Sequence, residues 1–184
     1  MTVFDSSTDT TLEHVRRAAA VRLLILDVDG VLTDGSLTYG ADGEVTKTFN
    51  VLDGLGIELL QKTGVLVAII SARKSPVVVR RAADLKIPHV YQGTHDKRIA
   101  FAEVLALTGL TAEQCGYIGD DVIDLPLLRK VGFAVTVPSG HPEVQHRAHY
   151  VTRNNGGRGA VREVCDLVMR AQNTYEAALA PYFA

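Results

Sequence analysis

The feature that most constrains the fold is an unbroken apolar run, Leu23 to Leu26, that ends at the polar sequence Asp27-Val28-Asp29-Gly30. A strand with one face in water alternates apolar and polar residues, whereas a strand buried on both faces is apolar throughout. A second run, Val65 to Ile70, ends in the same way at Ser71. Helical segments between such runs predict a parallel sheet with helices on both faces. We therefore expect a Rossmann-like α/β fold with its ligand site at the carboxyl ends of the strands.

The other elements are predicted from local signals. Shorter strands are expected at 87–91, 117–118 and 133–137, and helices at 10–20, 53–63, 96–107, 142–149 and about 160–180. Two more helices are expected, one starting at Ser75-Pro76 and one ending near Lys130. Thr10 with Glu13, and Thr111 with Gln114, have the spacing of capping boxes. Residues 36–49 are β-prone around the turn 40–43, which predicts a hairpin.

Length and composition limit the possible functions. The 184 residues fit a single domain, 1–184, in which 36–49 is the hairpin insertion and 165–184 is a C-terminal helix and tail. The net charge of −2 gives no overall attraction to nucleic acid or an anionic membrane. The sequence has no apolar stretch near 18 residues and no signal core at its start, so we expect a cytoplasmic protein. Cys115 and Cys165 lack the spacing of a metal or redox motif.

The first candidate site residues are Asp27 and Asp29. Residues two apart on an extended chain point to the same side, and two carboxylates placed there repel each other unless a cation or a proton intervenes. Gly30 permits a close approach of the backbone to a ligand. An ordinary polar turn after a strand explains the same residues equally well when they are considered alone.

Cationic and hydroxyl groups follow later strand ends. Because Ser75-Pro76 already supplies a helix cap, the hydroxyl of Ser71 remains available to an anion, and Arg73 adds a planar donor beside it. Lys97 lies in the first turn of a predicted helix, where the helix dipole disfavours a cation by about 0.3–1 kcal/mol. An anion bound there would remove the conflict. A solvated loop and an exposed lysine are the simpler alternatives.

The last cluster is Gly119-Asp120-Asp121 with Asp124. Carboxylates grouped at a strand end suit a hard divalent cation with oxygen ligands, above all Mg²⁺. An acidic helix start, with Asp120 or Asp121 as the cap, is the alternative, and one of these aspartates is expected to serve in that way.

Taken in order, these four motifs resemble those of the haloacid dehalogenase superfamily of phosphatases. The resemblance extends from Leu23 to Gln172 and includes the segments 27–35, 91–93, 119–121 and 156–163. Within that superfamily the chain is similar to phosphatases without a cap domain that act on eight-carbon sugar acid phosphates of lipopolysaccharide precursor synthesis. One departure is Ser71-Ala72-Arg73, where such proteins more usually have Thr-Gly-Arg.

The resemblance implies roles for the candidate residues. Asp27 is expected to attack phosphorus and form an aspartyl phosphate, with Asp29 as the acid and then the base. Ser71 and Lys97 are expected to hold the phosphoryl oxygens. The implied substrate-binding residues are Arg73 and Arg158. The implied Mg²⁺ ligands are Asp27, Asp29 (through its carbonyl), Asp120 and Asp124, with Asp124 also possible as an orienting group.

The gaps 34–51 and 71–97 cannot encode a cap domain, so a site without a covering chain would be open to water. The resemblance implies a homotetramer in which hairpins pair between subunits, and in which the segment around Arg158 and the C-terminal tail lie near a neighbour's site. A hairpin that packs on its own domain is the alternative. Three other functions remain open from the sequence. One is a phosphatase for a nine-carbon sugar acid 9-phosphate, such as that of sialic acid or its deaminated relative KDN. Another is a receiver-like signalling module, although an acid/base Asp29 would speed loss of the phosphate. The third is a non-catalytic partner protein.

Overall fold

The computed structural model describes residues 6–41 and 43–184 and contains a six-stranded parallel sheet flanked by helices, which confirms the predicted α/β class. The strand order is β5-β4-β1-β6-β7-β8. The strands of this sheet are β1 (Leu23–Leu26), β4 (Leu66–Ser71), β5 (His89–Gln92), β6 (Cys115–Ile118), β7 (Phe133–Thr136) and β8 (Tyr150–Val151).

Helices cover both faces of the sheet. They are α1 (Ser6–Ala19), α2 (Val51–Lys62), α3 (Pro76–Asp84), α4 (Lys97–Thr108), α5 (Leu125–Leu128), α6 (Pro142–Gln145), α7 (Ala160–Ala171) and α8 (Tyr175–Leu179). Short 3₁₀ helices lie at Ala112–Gln114, Val122–Asp124 and Ala180–Tyr182. None of these helices is both long and apolar enough to cross a bilayer.

The unbroken apolar run predicted as a two-sided strand is β1, at the centre of the sheet. All four of its residues are buried, and it pairs with β4 on one side and β6 on the other. Its alternate side chains enter two separate apolar cores, Leu24 and Leu26 in one and Leu23 and Ile25 in the other. Because the three central strands are parallel, their carboxyl ends bring Asp27, Ser71 and Asp120 to one edge.

The predicted hairpin is present between β1 and α2. It consists of β2 (Thr38–Gly40) and β3 (Gly43–Thr46), which pair antiparallel in a separate two-stranded sheet. Its turn includes Asp42, which lies outside the described residues. The three residues of β2 are exposed within the chain.

Several predicted boundaries differ from the structure. The first helix begins at Ser6, and the Thr10 side chain of the predicted capping box lies outside the described side chains. The capping box of Thr111 and Gln114 is present. The prediction of a final helix reaching about residue 180 was wrong in its length. The helix ends at Ala171, and Asn173, two residues further on, has a φ of 58°. Asparagine tolerates this left-handed conformation, which ends a helix.

Candidate active site

The end of β1 places two carboxylates and a glycine at the centre of the site. Asp27 is 7% exposed, and Asp29 lies two residues further on. Gly30 has a φ of 85°, and a Cβ added there would lie 2.0 Å from Oδ2 of Asp120. A side chain at position 30 would therefore displace the carboxylate of Asp120. The packing requires glycine here, as expected from the close approach of the backbone predicted at Gly30.

Asp27 belongs to a buried cluster of four polar side chains. Its members are Asp27, Lys97, Tyr117 and Asp124. The ammonium of Lys97 lies 3.0 Å from Oδ2 of Asp27 and donates to Oδ1 of Asp124 at 2.6 Å and to the Tyr117 hydroxyl at 3.0 Å. Three protein oxygens therefore surround an ammonium that has three N–H groups. Lys97 begins α4, as predicted, and the two carboxylates stabilise its charge against both burial and the helix dipole.

Asp124 is fully buried and uses both carboxylate oxygens within the protein. Its Oδ1 accepts from Lys97 and from the Tyr117 hydroxyl, the latter at 2.6 Å. Its Oδ2 accepts from the backbone N–H groups of Asp120 and Asp121 at 3.0 and 3.2 Å. These four donors match the four lone pairs of a carboxylate, so Asp124 fixes the loop after β6. The cap of the following 3₁₀ helix is Asp121, which accepts from Val122 N–H.

The cluster shifts the ionisation of its members. Burial raises the pKa of Asp27 to about 7, and the Asp124 carboxylate adds to this rise against the opposing effect of Lys97. Burial and Asp124 likewise raise the pKa of Asp120 to about 7. Burial would lower the pKa of Lys97, but the neighbouring Asp27 and Asp124 raise it instead. One ammonium cannot neutralise three carboxylates, so the site favours an additional positive charge.

The donor set fits a hard divalent cation. One oxygen from each of Asp27, Asp120 and Asp124 lies within 4.8 Å of the others. All three are carboxylate oxygens, which are the ligands that Mg²⁺ prefers. The saturation of Asp124 by four donors argues that Asp27 and Asp120 are the better placed of the three to bind a cation directly.

Ser71 and Arg73, at and after the end of β4, face the same cavity, whose volume is about 270 Å³. Ser71 is buried, and its Oγ accepts from Arg73 N–H at 3.3 Å, which leaves its hydroxyl proton able to donate to an anion. The cavity is lined by Asp27, Asp29, Gly35, Ser71, Ala72, Arg73, Lys97, Asp120, Asp121 and Ile123. Six of the eight predicted site residues therefore lie together around one space, and Asp124 lies directly behind it.

A second set of contacts, which the sequence did not predict, involves Tyr39, Lys47 and Arg73, here called the hairpin group. The Lys47 ammonium forms an ion pair with Oδ1 of Asp29, and the Lys47 side chain is only 2% exposed. Arg73 Nε lies 3.6 Å from Oδ2 of Asp29, and Arg73 Nη2 donates to the Tyr39 hydroxyl at 3.0 Å. The hairpin thus contacts the site of its own chain. A lysine in a β-prone arm gives no sequence signal for this contact, which depends on how the hairpin folds back.

Arg158, a predicted substrate-binding residue, lies outside this cavity. Its guanidinium is 3.4 Å from Oδ2 of Asp34, and it lines a separate cavity of about 490 Å³ beside α7. The adjacent glycines are nevertheless close to the site, because a Cβ added at Gly156 would lie 1.7 Å from the Gly30 carbonyl oxygen. Gly157 N–H donates to the Val31 carbonyl at 2.9 Å.

Known proteins resemble this chain in both sequence and fold. A sequence profile of haloacid dehalogenase-like hydrolases matches residues 84–164. The 3-deoxy-D-manno-octulosonate 8-phosphate phosphatase of Yersinia pestis is 51% identical over 164 residues, which cover 89% of this chain and 88% of that protein. The phosphatase of the same name from Escherichia coli strain K12 is 49% identical, covering 89% and 87% of the two chains.

Solved structures agree with this comparison. The crystal structure of the Yersinia pestis phosphatase has a TM-score of 0.87 and 50% identity, covering 89% of each chain. That of 3-deoxy-D-manno-octulosonate 8-phosphate phosphatase from Moraxella catarrhalis, in complex with magnesium ion, phosphate ion and a KDO molecule, has a TM-score of 0.89 and 42% identity. It covers 92% of this chain and 98% of the other.

The parallel sheet, the carboxylates at its edge and the matching profile define a haloacid dehalogenase-like hydrolase. Within that class, the identity of about half over nearly the whole of its relatives shows that the chain belongs to the family of 3-deoxy-D-manno-octulosonate 8-phosphate phosphatases. The chain is therefore an enzyme of the phosphatase type, as the motifs predicted.

Proposed function

We propose that this enzyme hydrolyses 3-deoxy-D-manno-octulosonate 8-phosphate to the free sugar acid and phosphate, through an aspartyl phosphate on Asp27. The observation that supports this most strongly is the convergence of Asp27, Ser71 and Lys97 on one cavity, in a chain about 50% identical to phosphatases of that name. We further propose that the reaction belongs to lipopolysaccharide precursor synthesis in the cytoplasm, and this location remains a prediction.

Mg²⁺ is the proposed metal. Asp27 and Asp120 would hold it through carboxylate oxygens and Asp29 through its backbone carbonyl, while Asp124 orients the loop behind them. When bound, the ion supplies positive charge that offsets the three carboxylates and the substrate phosphate. The carboxylates of Asp27 and Asp120, whose pKa values are raised to about 7, are the groups whose charged forms such an ion would stabilise most.

In the proposed reaction, an Asp27 carboxylate oxygen forms a bond to phosphorus as the bond from phosphorus to the sugar oxygen breaks. Asp29 gives its proton to the leaving alcohol and then takes a proton from the water that hydrolyses the aspartyl phosphate. Ser71 donates a hydrogen bond to a phosphoryl oxygen, and Lys97 donates another through the N–H that faces Asp27 in the free enzyme. Phosphate monoesters are so inert that the site must lower the barrier by about 20 kcal/mol or more, mainly through positioning and charge neutralisation.

The cations of the hairpin group are evidence for a substrate that carries a second negative charge beside its phosphate. Lys47 and Arg73 both contact Asp29, and the cations at this side of the cavity match the second negative charge of a sugar acid phosphate. An incoming dianion competes with Asp29 for Arg73, and the Asp29 carboxylate, once released, takes a proton from solvent water before it serves as the acid. This part of the proposal assigns substrate recognition to Arg73 and leaves the phosphoryl transfer to the buried cluster.

The direct test is steady-state hydrolysis by the purified protein in Mg²⁺ buffer. We expect kcat/KM for 3-deoxy-D-manno-octulosonate 8-phosphate to exceed that for sialic acid 9-phosphate, KDN 9-phosphate and p-nitrophenyl phosphate by at least about 100-fold. A preference for a nine-carbon substrate would contradict the proposed substrate while leaving the phosphatase chemistry intact. The absence of magnesium-dependent hydrolysis of every compound would contradict both.

We also propose that the working enzyme is a homotetramer assembled through the hairpins. Tyr39 is 60% exposed and Leu37 is 41% exposed in the single chain, although an isolated hairpin is marginally stable in water. Pairing between subunits would bury these residues and protect the hairpin edges. Light scattering should give a mass near four times 19.9 kDa. Deletion of residues 40–43 should dissociate the particle and lower its specific activity, and a fully active monomer would contradict this proposal.

A further inference from the structure

Asp53 is a buried carboxylate to which the proposed reaction gives no role. It lies in the first turn of α2 and is 1% exposed. An acidic residue there usually serves the dipole of its own helix, but the cap of α2 is Asn50, whose side chain accepts from Leu52 N–H at 2.8 Å. The Asp53 carboxylate instead points to a different helix.

The partner of Asp53 is the start of α7. Oδ1 of Asp53 accepts from Arg162 N–H at 2.8 Å, and its Oδ2 accepts from Gly159 N–H at 3.2 Å. The residue that precedes α7 is Gly159, which has a φ of 101° and no side chain with which to cap the helix. Asp53 therefore supplies from α2 the N-cap that α7 lacks in its own sequence.

The segment just before α7 is packed against the catalytic loop. Gly157 N–H donates to the Val31 carbonyl at 2.9 Å, and the Asn50 amide donates to the Gly157 carbonyl at 3.4 Å. Gly156 approaches the Gly30 carbonyl so closely that no side chain fits between them. A displacement of the segment 156–159 would thus move the backbone that immediately follows Asp29.

We propose that Asp53 is a positioning residue for the loop that contains Asp29. It acts through the glycine segment 156–159, which it fixes by capping α7, and it does not touch the substrate. The inference rests on the proposed phosphatase function and deepens it by naming a residue, remote from the cavity, on which the acid/base geometry depends. Because the loop serves the chemical step for every substrate, loss of Asp53 is expected to lower kcat and leave KM nearly unchanged.

The test compares Asp53→Asn with Met169→Ala, using p-nitrophenyl phosphate at saturating Mg²⁺. The Asn variant keeps the volume of the side chain and one acceptor oxygen. Met169 is a fully buried residue near the far end of the same helix, so Met169→Ala destabilises α7 without touching 156–159. We expect Asp53→Asn to lower kcat at least about 10-fold with KM within twofold, and Met169→Ala to lower Tm at least as much while kcat stays within twofold.

A kcat of Asp53→Asn within twofold of wild type, or an equal loss of kcat in Met169→Ala, would overturn the inference. Where Asp53→Asn does not fold, Asp53→Ser serves in its place. Serine has a single oxygen on a shorter side chain and cannot accept from both the Gly159 and Arg162 N–H groups, so kcat should fall at least about 10-fold, and an unchanged kcat would again overturn the inference. An inactive wild-type protein would contradict the proposed function itself, whereas an active wild type with fully active variants would contradict only the role of Asp53.

Discussion

The buried cluster and the hairpin group meet at one cavity but are built in different ways. Asp27, Lys97 and Asp124 follow strand ends or begin helices of the main sheet, and the Lys97 side chain is 1% exposed. Two members of the hairpin group, Tyr39 and Lys47, come from the segment between β1 and α2. Tyr39 and the Arg73 side chain are accessible, at 60% and 39% exposed, whereas the Lys47 side chain is buried. A preorganised interior suits chemistry common to a whole class of enzymes, whereas an accessible surface suits recognition of a particular substrate. We therefore expect phosphoryl transfer to depend on the buried cluster and substrate choice to depend on the accessible members of the hairpin group, Tyr39 and Arg73.

The largest expected effect comes from Asp27, the proposed nucleophile. Asp27→Asn should lower kcat by at least about 1,000-fold on every substrate, since the amide cannot form the covalent intermediate. Circular dichroism should show an unchanged fold. Asp84→Asn, at an exposed ion pair with Arg80, is the matched control and should retain full activity. Substantial activity in folded Asp27→Asn protein would remove Asp27 from its proposed role.

Removal of metal should affect activity and stability together. Chelation should abolish hydrolysis, and Mg²⁺ should restore it. In metal-free protein the pKa values of Asp27 and Asp120 are raised to about 7, against about 4 in an unfolded chain. The folded state then binds more protons between these values, so the free energy of unfolding falls as pH rises from about 4 to about 7.

We expect the metal-free protein to lose on the order of 5 kcal/mol, or roughly 10–20 °C in Tm, between pH 5 and pH 8. Added Mg²⁺ should reverse the loss at pH 8. Thermal melts with and without Mg²⁺ measure both effects, and Asp120→Asn should reduce the pH dependence. A metal-free protein more stable at pH 8 than at pH 5 would contradict the assignment of these shifts.

The hairpin group should show selective effects. Arg73→Ala should raise KM for the sugar acid phosphate about 10- to 100-fold, because the lost guanidinium pairs with an anion in a partly buried site. The KM for p-nitrophenyl phosphate should change less than about threefold. Arg80→Ala, an exposed arginine on α3, is the control. Equal losses on both substrates would show that Arg73 serves the phosphate or the fold, and the proposed division of labour would be wrong.

The smallest expected effect comes from Tyr117 in the buried cluster. Tyr117→Phe removes one oxygen, which both accepts from Lys97 and donates to Asp124. Hydrogen bonds to charged groups contribute about 1.5–3 kcal/mol, so Tm should fall by several degrees. We expect kcat to fall about threefold to tenfold on both substrates alike, as measured by steady-state kinetics. A selective loss on the sugar acid phosphate would place Tyr117 with the hairpin group instead.

The sequence predicted the buried cluster better than the hairpin group, for a physical reason. Asp27, Lys97 and Asp124 follow strands or begin helices whose patterns are local, and parallel strands bring such ends together. Lys47 meets Asp29 only because the hairpin folds back over the cavity, and no local pattern encodes that approach. Tyr117 lies in the strand predicted at 117–118. Its ring packs in the apolar core and only its hydroxyl reaches the cluster, a contact that the strand pattern does not predict.

The end of the C-terminal helix was also not predictable from local sequence. The apolar periodicity of α7 predicted a continuous helix, and the break at Asn173 depends on one backbone conformation that several residue types adopt. The sequence did not predict the contact between Asp53 and α7, for another reason. The position of Asp53 in the first turn of α2 is typical of an acidic residue that serves its own helix, and only the packing of α2 against α7 shows its partner.

The most direct test of the central claim is to trap the covalent intermediate. Asp29→Asn should still form some aspartyl phosphate, although the acid for the leaving alcohol is lost, and should hydrolyse it slowly because the group that activates water is lost as well. Borohydride reduction after mixing with the sugar acid phosphate and Mg²⁺, followed by peptide mass spectrometry, should show homoserine at position 27. Homoserine at another aspartate, or an unmodified Asp27 in protein that still turns over substrate, would contradict the account.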